Sequence, residues 1–178
     1  MSWFDWAKKW LADNKASGHA PPFEGLHFSP QAMQALTQAR NEAIRLRHNF
    51  LGTEHLLLGL IRIKKGMSLD VLQKMGVNLE QLRSELERLA PSVSKEDIAG
   101  GIPYTPRVKK VIALAQKEAK SMNHLQVGTE HMLLGLLREG DGVGAKVLQL
   151  FNVNLERARK EVLRQSDPNY LSEEDGKK

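Results

Sequence analysis

The chain repeats itself. With Phe28 placed over Tyr104 and a fixed offset of 76, with no gaps, 25 of the 61 positions from 28 to 88 are identical to their partners in 104–164. The strongest block is Gly52-Thr53-Glu54-His55-Leu56-Leu57-Leu58-Gly59-Leu60, which faces Gly128-Thr129-Glu130-His131-Met132-Leu133-Leu134-Gly135-Leu136. A second block, Val77-Asn78-Leu79-Glu80, faces Val153-Asn154-Leu155-Glu156. One unit was duplicated, and a period of this length leaves room for several helices per copy.

Each copy reads as four helices. The first opens at Ser29-Pro30 and at Thr105-Pro106, a hydroxyl N-cap followed by proline at the first helical position, where a missing N–H costs nothing. Ala35, Leu36, Ala39, Ala43 and Leu46 then follow at helical spacing, as do Val108, Ile112, Ala115, Ala119 and Met122. The second helix begins after a glycine, with Thr53 and Thr129 as its expected N-caps. A short third helix is expected near 69–75 and 143–151. Asn78 and Asn154 are expected to cap the fourth. Gly59 and Gly135 lie inside the most apolar helix, where glycine costs about 1 kcal/mol relative to alanine. Their recurrence predicts close approach of two helix backbones. Strand signals are weak, so the expected fold is all-α: two pseudo-symmetric four-helix repeats, eight helices in all, over 28–90 and 104–164. A linker over 91–103 joins them, and 165–178 is a polar tail.

Residues 1–27 stand outside the repeat. Trp3, Trp6 and Trp10 fall on one side of a short amphipathic helix, with Phe4 and Leu11 beside them. Gly18, Pro21, Pro22 and Gly25 then mark a linker. Such an aromatic stripe either folds back on its own domain or anchors a partner or a membrane surface.

The chain has no cysteine, which excludes disulfides and thiol catalysis and suits a reducing cytoplasm. No 18-residue apolar run is present, so no membrane-spanning helix is expected. The net charge of +5 is spread over both repeats, which carry +3 and +5. Lys109, Lys110, Lys117 and Lys120 line one helix, the pattern of a solvated face, and no nucleic-acid motif accompanies them, so no nucleic-acid partner is expected. His48, His55, His124 and His131 recur at the repeat period. They lack His-Glu-x-x-His spacing, and they are read as hydrogen-bonders at helix ends; no metal and no cofactor is expected. No nucleophile, base and orienting group fall into order, so the chain reads as a binding module and not an enzyme.

The doubled Gly-Thr-Glu-His-x-Leu-Leu-Gly-Leu block, the (Ser/Thr)-Pro helix starts, His48 and His124, and the Arg-Glu-Gly-Asp-Gly-Val stretch at 138–143 resemble the amino-terminal Clp repeat domain of the Clp-type unfoldases, the ClpC and ClpA group. The resemblance covers roughly 26–165. It implies the eight-helix fold and a role in recruiting substrate proteins or adaptors to Clp ATPase and protease components. In the ClpC branch it further implies recognition of phosphorylated arginine. No Gly-x-x-x-x-Gly-Lys-(Ser/Thr) loop occurs in the 178 residues; the nearest string, Gly140 to Val147, lacks the spacing and the hydroxyl. The chain is therefore expected to act as an accessory or a decoy, the alternatives being a fragment of a longer ATPase or a basic nucleic-acid-binding protein.

Phosphoarginine asks for a carboxylate at its guanidino end and for N–H donors or cations at its phosphoryl end. A helix N-terminus supplies such donors. By resemblance, Glu54 and Glu130 grip the guanidino group, and Ser29 and Thr105 match the phosphate-side hydroxyls. The expected pairing is within each repeat, Ser29 with Glu54 and Thr105 with Glu130. A plainer alternative stands beside it: a first-turn glutamate stabilises a helix by roughly 0.3–1 kcal/mol while binding nothing.

Overall fold

The computed structural model describes residues 27–90, 102–167 and 170. The expected N-terminal helix, with Trp3, Trp6 and Trp10, lies outside them. Eight helices occur among the described residues: α1 (Pro30–Arg45), α2 (Thr53–Arg62), α3 (Met67–Lys74), α4 (Leu79–Leu89), α5 (Pro106–Ser121), α6 (Thr129–Glu139), α7 (Val143–Leu150) and α8 (Leu155–Ser166). Helix α8 passes the expected repeat boundary at 164. Ile102, placed in the linker by sequence, is buried, and the Pro103 carbonyl accepts from Leu51 N–H at 2.8 Å.

Four helix starts follow the capping signals. Ser29 Oγ accepts from Ala32 N–H at 3.2 Å, and Thr105 Oγ1 from Val108 N–H at 3.3 Å, each with proline next in line. Asn78 Oδ1 accepts from Glu80 and Gln81 N–H, and Asn154 Oδ1 from Arg157 N–H. These bonds satisfy N–H groups that have no partner inside their own helix.

Helices α2 and α6 start differently. Their N-caps are Gly52 and Gly128, not the expected threonines. Thr53 and Thr129 instead send their hydroxyls across the molecule. Thr129 Oγ1 accepts from Ser68 N–H at 3.2 Å, at the start of α3, and Thr53 Oγ1 accepts from Gly144 N–H at 3.2 Å, at the start of α7. Each repeat thus caps the third helix of the other.

The backbone repeats this exchange. Phe28 forms a parallel bridge with Val127, and Leu51 with Tyr104. Ser29 N–H donates to Val127 O at 3.0 Å, Val127 N–H to His27 O at 2.8 Å, and Thr105 N–H to Leu51 O at 3.0 Å. Helix α3 packs on α6 and α8, and α7 packs on α2 and α4. The packing unit is therefore not the sequence unit: each half of the core takes three helices from one copy and the third helix of the other.

Helices α2 and α6 are central. Every residue from Thr53 to Leu60 is buried. Full burial stabilises a leucine by roughly 1.5–3 kcal/mol, so a run of this kind anchors the core. Against each central helix lies the first helix of the same copy. A Cβ on Gly59 would sit 2.3 Å from Ala35 O and 2.6 Å from Ala39 N; on Gly135 it would sit 2.6 Å from Val111 O and 3.0 Å from Ala115 N. The close approach expected from the glycines is present. Two buried acids, Glu42 and Glu118, occupy equivalent positions in α1 and α5. Glu42 takes Arg45 at 2.7 Å and Arg62 at 2.9 Å, and Glu118 takes Arg138 and Arg159, the latter at 2.7 Å. Removing one partner of such a buried pair leaves the other charge uncompensated.

Two outcomes follow from this packing. Gly59→Ala is expected to destabilise the protein by roughly 1–3 kcal/mol through overpacking, although alanine is the better helix former, and Gly135→Ala to cost less; chemical denaturation checks both. Residues 27–90 alone lack the α7 that covers α2 and α4, so circular dichroism on that fragment should show no cooperative melt, whereas 27–167 should melt in one step.

Candidate functional site

The exchange decides which candidate residues meet. Ser29 does not face Glu54. Its N–H bonds Val127, and it lines one cleft of about 640 Å³ with Gly128, Thr129 and Glu130 of the second repeat. The cleft is lined as well by Lys65, Gly66 and Met67, from the turn into α3, and by Asn123, His124, Leu125 and Gln126. Thr105 is tied in the same way to Leu51, just ahead of Gly52, Thr53 and Glu54. The pairing expected from sequence is thereby corrected: each hydroxyl stands with the glutamate of the other copy. The cause is the parallel bridge, which lays the lead-in to each first helix beside the lead-in to the opposite second helix.

The glutamates sit tightly against their glycine caps. A Cβ on Gly52 would fall 2.2 Å from Glu54 Oε1, and one on Gly128 would fall 2.1 Å from Glu130 Oε1. Only a residue without a side chain leaves room for the carboxylate there. This explains why glycine stands at a position where serine, threonine, aspartate or asparagine usually caps. Burial pushes both carboxyls above the usual carboxylate range, more strongly than the backbone N–H and threonine bonds pull them down. Among the described residues no lysine or arginine pairs with either: the polar neighbours are Thr53 Oγ1 and Thr129 Oγ1, each at 3.5 Å, and the adjacent imidazoles. Two acids are thus held partly desolvated, neither paired with a lysine or arginine among the described residues, and the Glu130 carboxyl is drawn down in part by the neighbouring His124.

The adjacent imidazoles are tied to the glycine caps and to each other, not to the acids. Gly52 N–H donates to His55 Nδ1 at 2.9 Å, so this nitrogen is an acceptor and its proton is on Nε2. Nε2 then meets His48 Nδ1 at 2.8 Å. The second copy repeats the relay: Gly128 N–H to His131 Nδ1 at 2.8 Å, then His131 to His124 at 2.9 Å. The approach of Glu54 Oε1 to His55 Nδ1 at 3.5 Å is therefore two acceptors facing each other, not an ion pair. Burial first, and the neighbouring histidine second, press His55 down to about 3 and His131 to about 4, so both are neutral at physiological pH. His48, Glu54 and His55 lie close enough to share a metal ion, as do His124, Glu130 and His131. In each trio, however, the Nδ1 lone pairs already accept hydrogen bonds, and binding a metal would break that relay.

Several cleft residues carried no sequence signal as site residues: Lys65, Gln31, Met67 and Leu125, the last 94% exposed at the rim. Lys65 could have been noticed, since it replaces Asp141 of the other copy.

A family model, "Clp repeat (R) N-terminal domain", matches residues 27–151 and 103–175. The negative regulator of genetic competence ClpC/MecB of Bacillus subtilis is 46% identical over 136 residues, 76% of this chain and 16% of that protein. The chloroplast chaperone protein ClpC of Pisum sativum is 44% identical over 77% of this chain and 15% of its own length. The chain therefore spans about a sixth of the curated relatives it matches. Among solved structures, the N-terminal domain of the chaperone ClpD from Arabidopsis thaliana superposes with a TM-score of 0.61 at 23% identity, covering 79% of this chain and 98% of that one. A ClpV N-domain in complex with a VipB peptide superposes with a TM-score of 0.64 at 17% identity, over 89% and 88% of the two chains. On the extent of these matches, the chain belongs to the Clp repeat N-terminal domain family.

Proposed function

We propose that this chain is a non-catalytic recognition module of the Clp protease system, which takes substrate or adaptor segments bearing a guanidinium-type cation, phosphoarginine being the best-fitting one. The observation that carries the reading is Glu130: a half-buried carboxylate, paired with no lysine or arginine among the described residues, opening onto a cleft shared with Ser29 and Lys65. A guanidino group supplies the missing charge, and Lys65 with the nearby helix starts supplies an anion's counterpart. The peptide complex of a ClpV N-domain supports peptide capture as something this fold can do. On this reading the module recruits or withholds cargo for a Clp ATPase, as an accessory, as a decoy or as the N-terminal part of a longer ATPase. Trp3, Trp6 and Trp10 are proposed to dock the partner, and loss of co-purification with the cell's Clp ATPase in a Trp3→Ala, Trp6→Ala, Trp10→Ala variant is the test of that.

Calorimetric titration of free phosphoarginine tests the ligand. Glu130→Gln should weaken binding at least tenfold, about 1.4 kcal/mol; unchanged heats in the double variant Glu54→Gln, Glu130→Gln would remove both carboxylates from the reading.

Stability separates the ligand role from plain helix capping. A carboxyl whose folded-state pKa is raised contributes stability below the unfolded value, and that stability is lost as pH rises through the folded one. At pH 7 the double glutamine variant should therefore be more stable than the parent, on the order of 1 kcal/mol. The difference should vanish at pH 4, where the parent carboxyls are protonated. Simple first-turn stabilisation predicts the opposite sign at pH 7.

A further inference from the structure

The duplication contains its own comparison. The Ser29–Glu130 cleft has a counterpart 76 residues on, where Thr105, Arg107, Asp141, Gly142 and Glu54 take the places of Ser29, Gln31, Lys65, Gly66 and Glu130. The two differ at the turn into the third helix. In the second copy, Glu139 is buried and its Oε2 accepts from Gly142 N–H at 2.8 Å. Its Oε1 takes Arg107 Nη1 at 2.7 Å, and Asp141 stands 3.6 Å from the same guanidinium. The start of α7 thus already holds an anion, supplied by the chain, and that anion already holds a cation.

In the first copy Ile63 stands where Glu139 does, buried in the core. Gly66, the N-cap of α3, has no side chain to offer, and the Thr129 hydroxyl serves only Ser68 N–H. The N–H groups of Gly66 and Met67 donate to no group among the described residues, and both residues line the cleft. Lys65 takes the place of Asp141, so the local charge is reversed. The surroundings differ in the same sense. The Glu54 side chain is 5% exposed and the Glu130 side chain 13%. His48 stacks on Phe50 with ring centres 5.5 Å apart, where the first cleft presents His124 and Gln126.

We propose that the two clefts have parted in function: the Ser29–Glu130 cleft is the chain's single site for a ligand carrying both a cationic and an anionic group, and the Arg107–Glu139 pair occupies its counterpart from within. The anion lies at Gly66, Met67 and Lys65, and the cation at Glu130. The assignment of the cation rests on the function proposed above, whereas that of the anion does not.

Backbone amide NMR on the whole chain separates the two. Inorganic phosphate and phosphoarginine are titrated in parallel, and the Gly66 and Met67 amides are followed against Gly142 and Val143. The expected result is saturable shifts at Gly66 and Met67 with both probes, phosphoarginine at least tenfold tighter, and one molecule bound per chain by calorimetry. Glu130→Gln should erase the advantage of phosphoarginine and Glu54→Gln should leave it intact. The exchange Glu139→Ile with Asp141→Lys should raise the stoichiometry from one to two. Equal shifts at Gly142 and Val143 in the parent overturn the inequivalence while leaving the proposed ligand standing. Phosphate shifts at Gly66 with no gain for phosphoarginine support the anion assignment and overturn the ligand. Silence at both turns with both probes overturns both.

Discussion

Two threonine hydroxyls and two short parallel bridges join the copies of the repeat, and the rest of the architecture depends on them. Thr129 caps α3 and Thr53 caps α7, each from the opposite copy. The bridges at Phe28–Val127 and Leu51–Tyr104 set the lead-in segments side by side. With those ties in place, the third helices fall into the far half, the apolar faces of α2 and α6 are closed over, and one continuous core results. A helix pair with a fully apolar central member could not remain in water alone; interlacing is how two such units bury each other.

The same ties build the clefts, and this places stability and recognition in opposition. A serine or asparagine at position 52 or 128 would cap its helix better, but it would displace the glutamate that folds over the bare glycine. What remains is a helix start whose N–H goes to a neutral imidazole and whose acid is desolvated with no lysine or arginine paired to it among the described residues. Local choices that disfavour the folded state, repeated in both copies, are the pattern on which the proposed binding role rests.

Much of the helical frame was legible in the sequence because its signals are local. Ser29-Pro30, Thr105-Pro106, Asn78 and Asn154 act within three residues of themselves, and Gly59 and Gly135 announce a close neighbour by the absence of a side chain. The partner exchange was not legible for a reason specific to duplication: when both copies carry the same motif, pairing within a copy and pairing between copies leave identical sequence traces. Thr53 and Thr129 misled for a related reason, since a hydroxyl beside a helix start can cap that helix or a distant one. Glu54 and Glu130 were found through the repeated block, whereas Lys65 and Glu139 emerge only where the copies disagree.

His27 accepts the hydrogen bond of Val127 N–H, and Val127 leads directly into Gly128, Thr129 and Glu130. The covalent root of the first 26 residues is therefore hydrogen-bonded to the segment that leads into the cleft. A load on that root bears on the hydrogen-bonded strip of Phe28 and Val127, which is seated in the core and leads into the carboxylate's segment. In mechanical terms the cleft has a handle, rooted at His27.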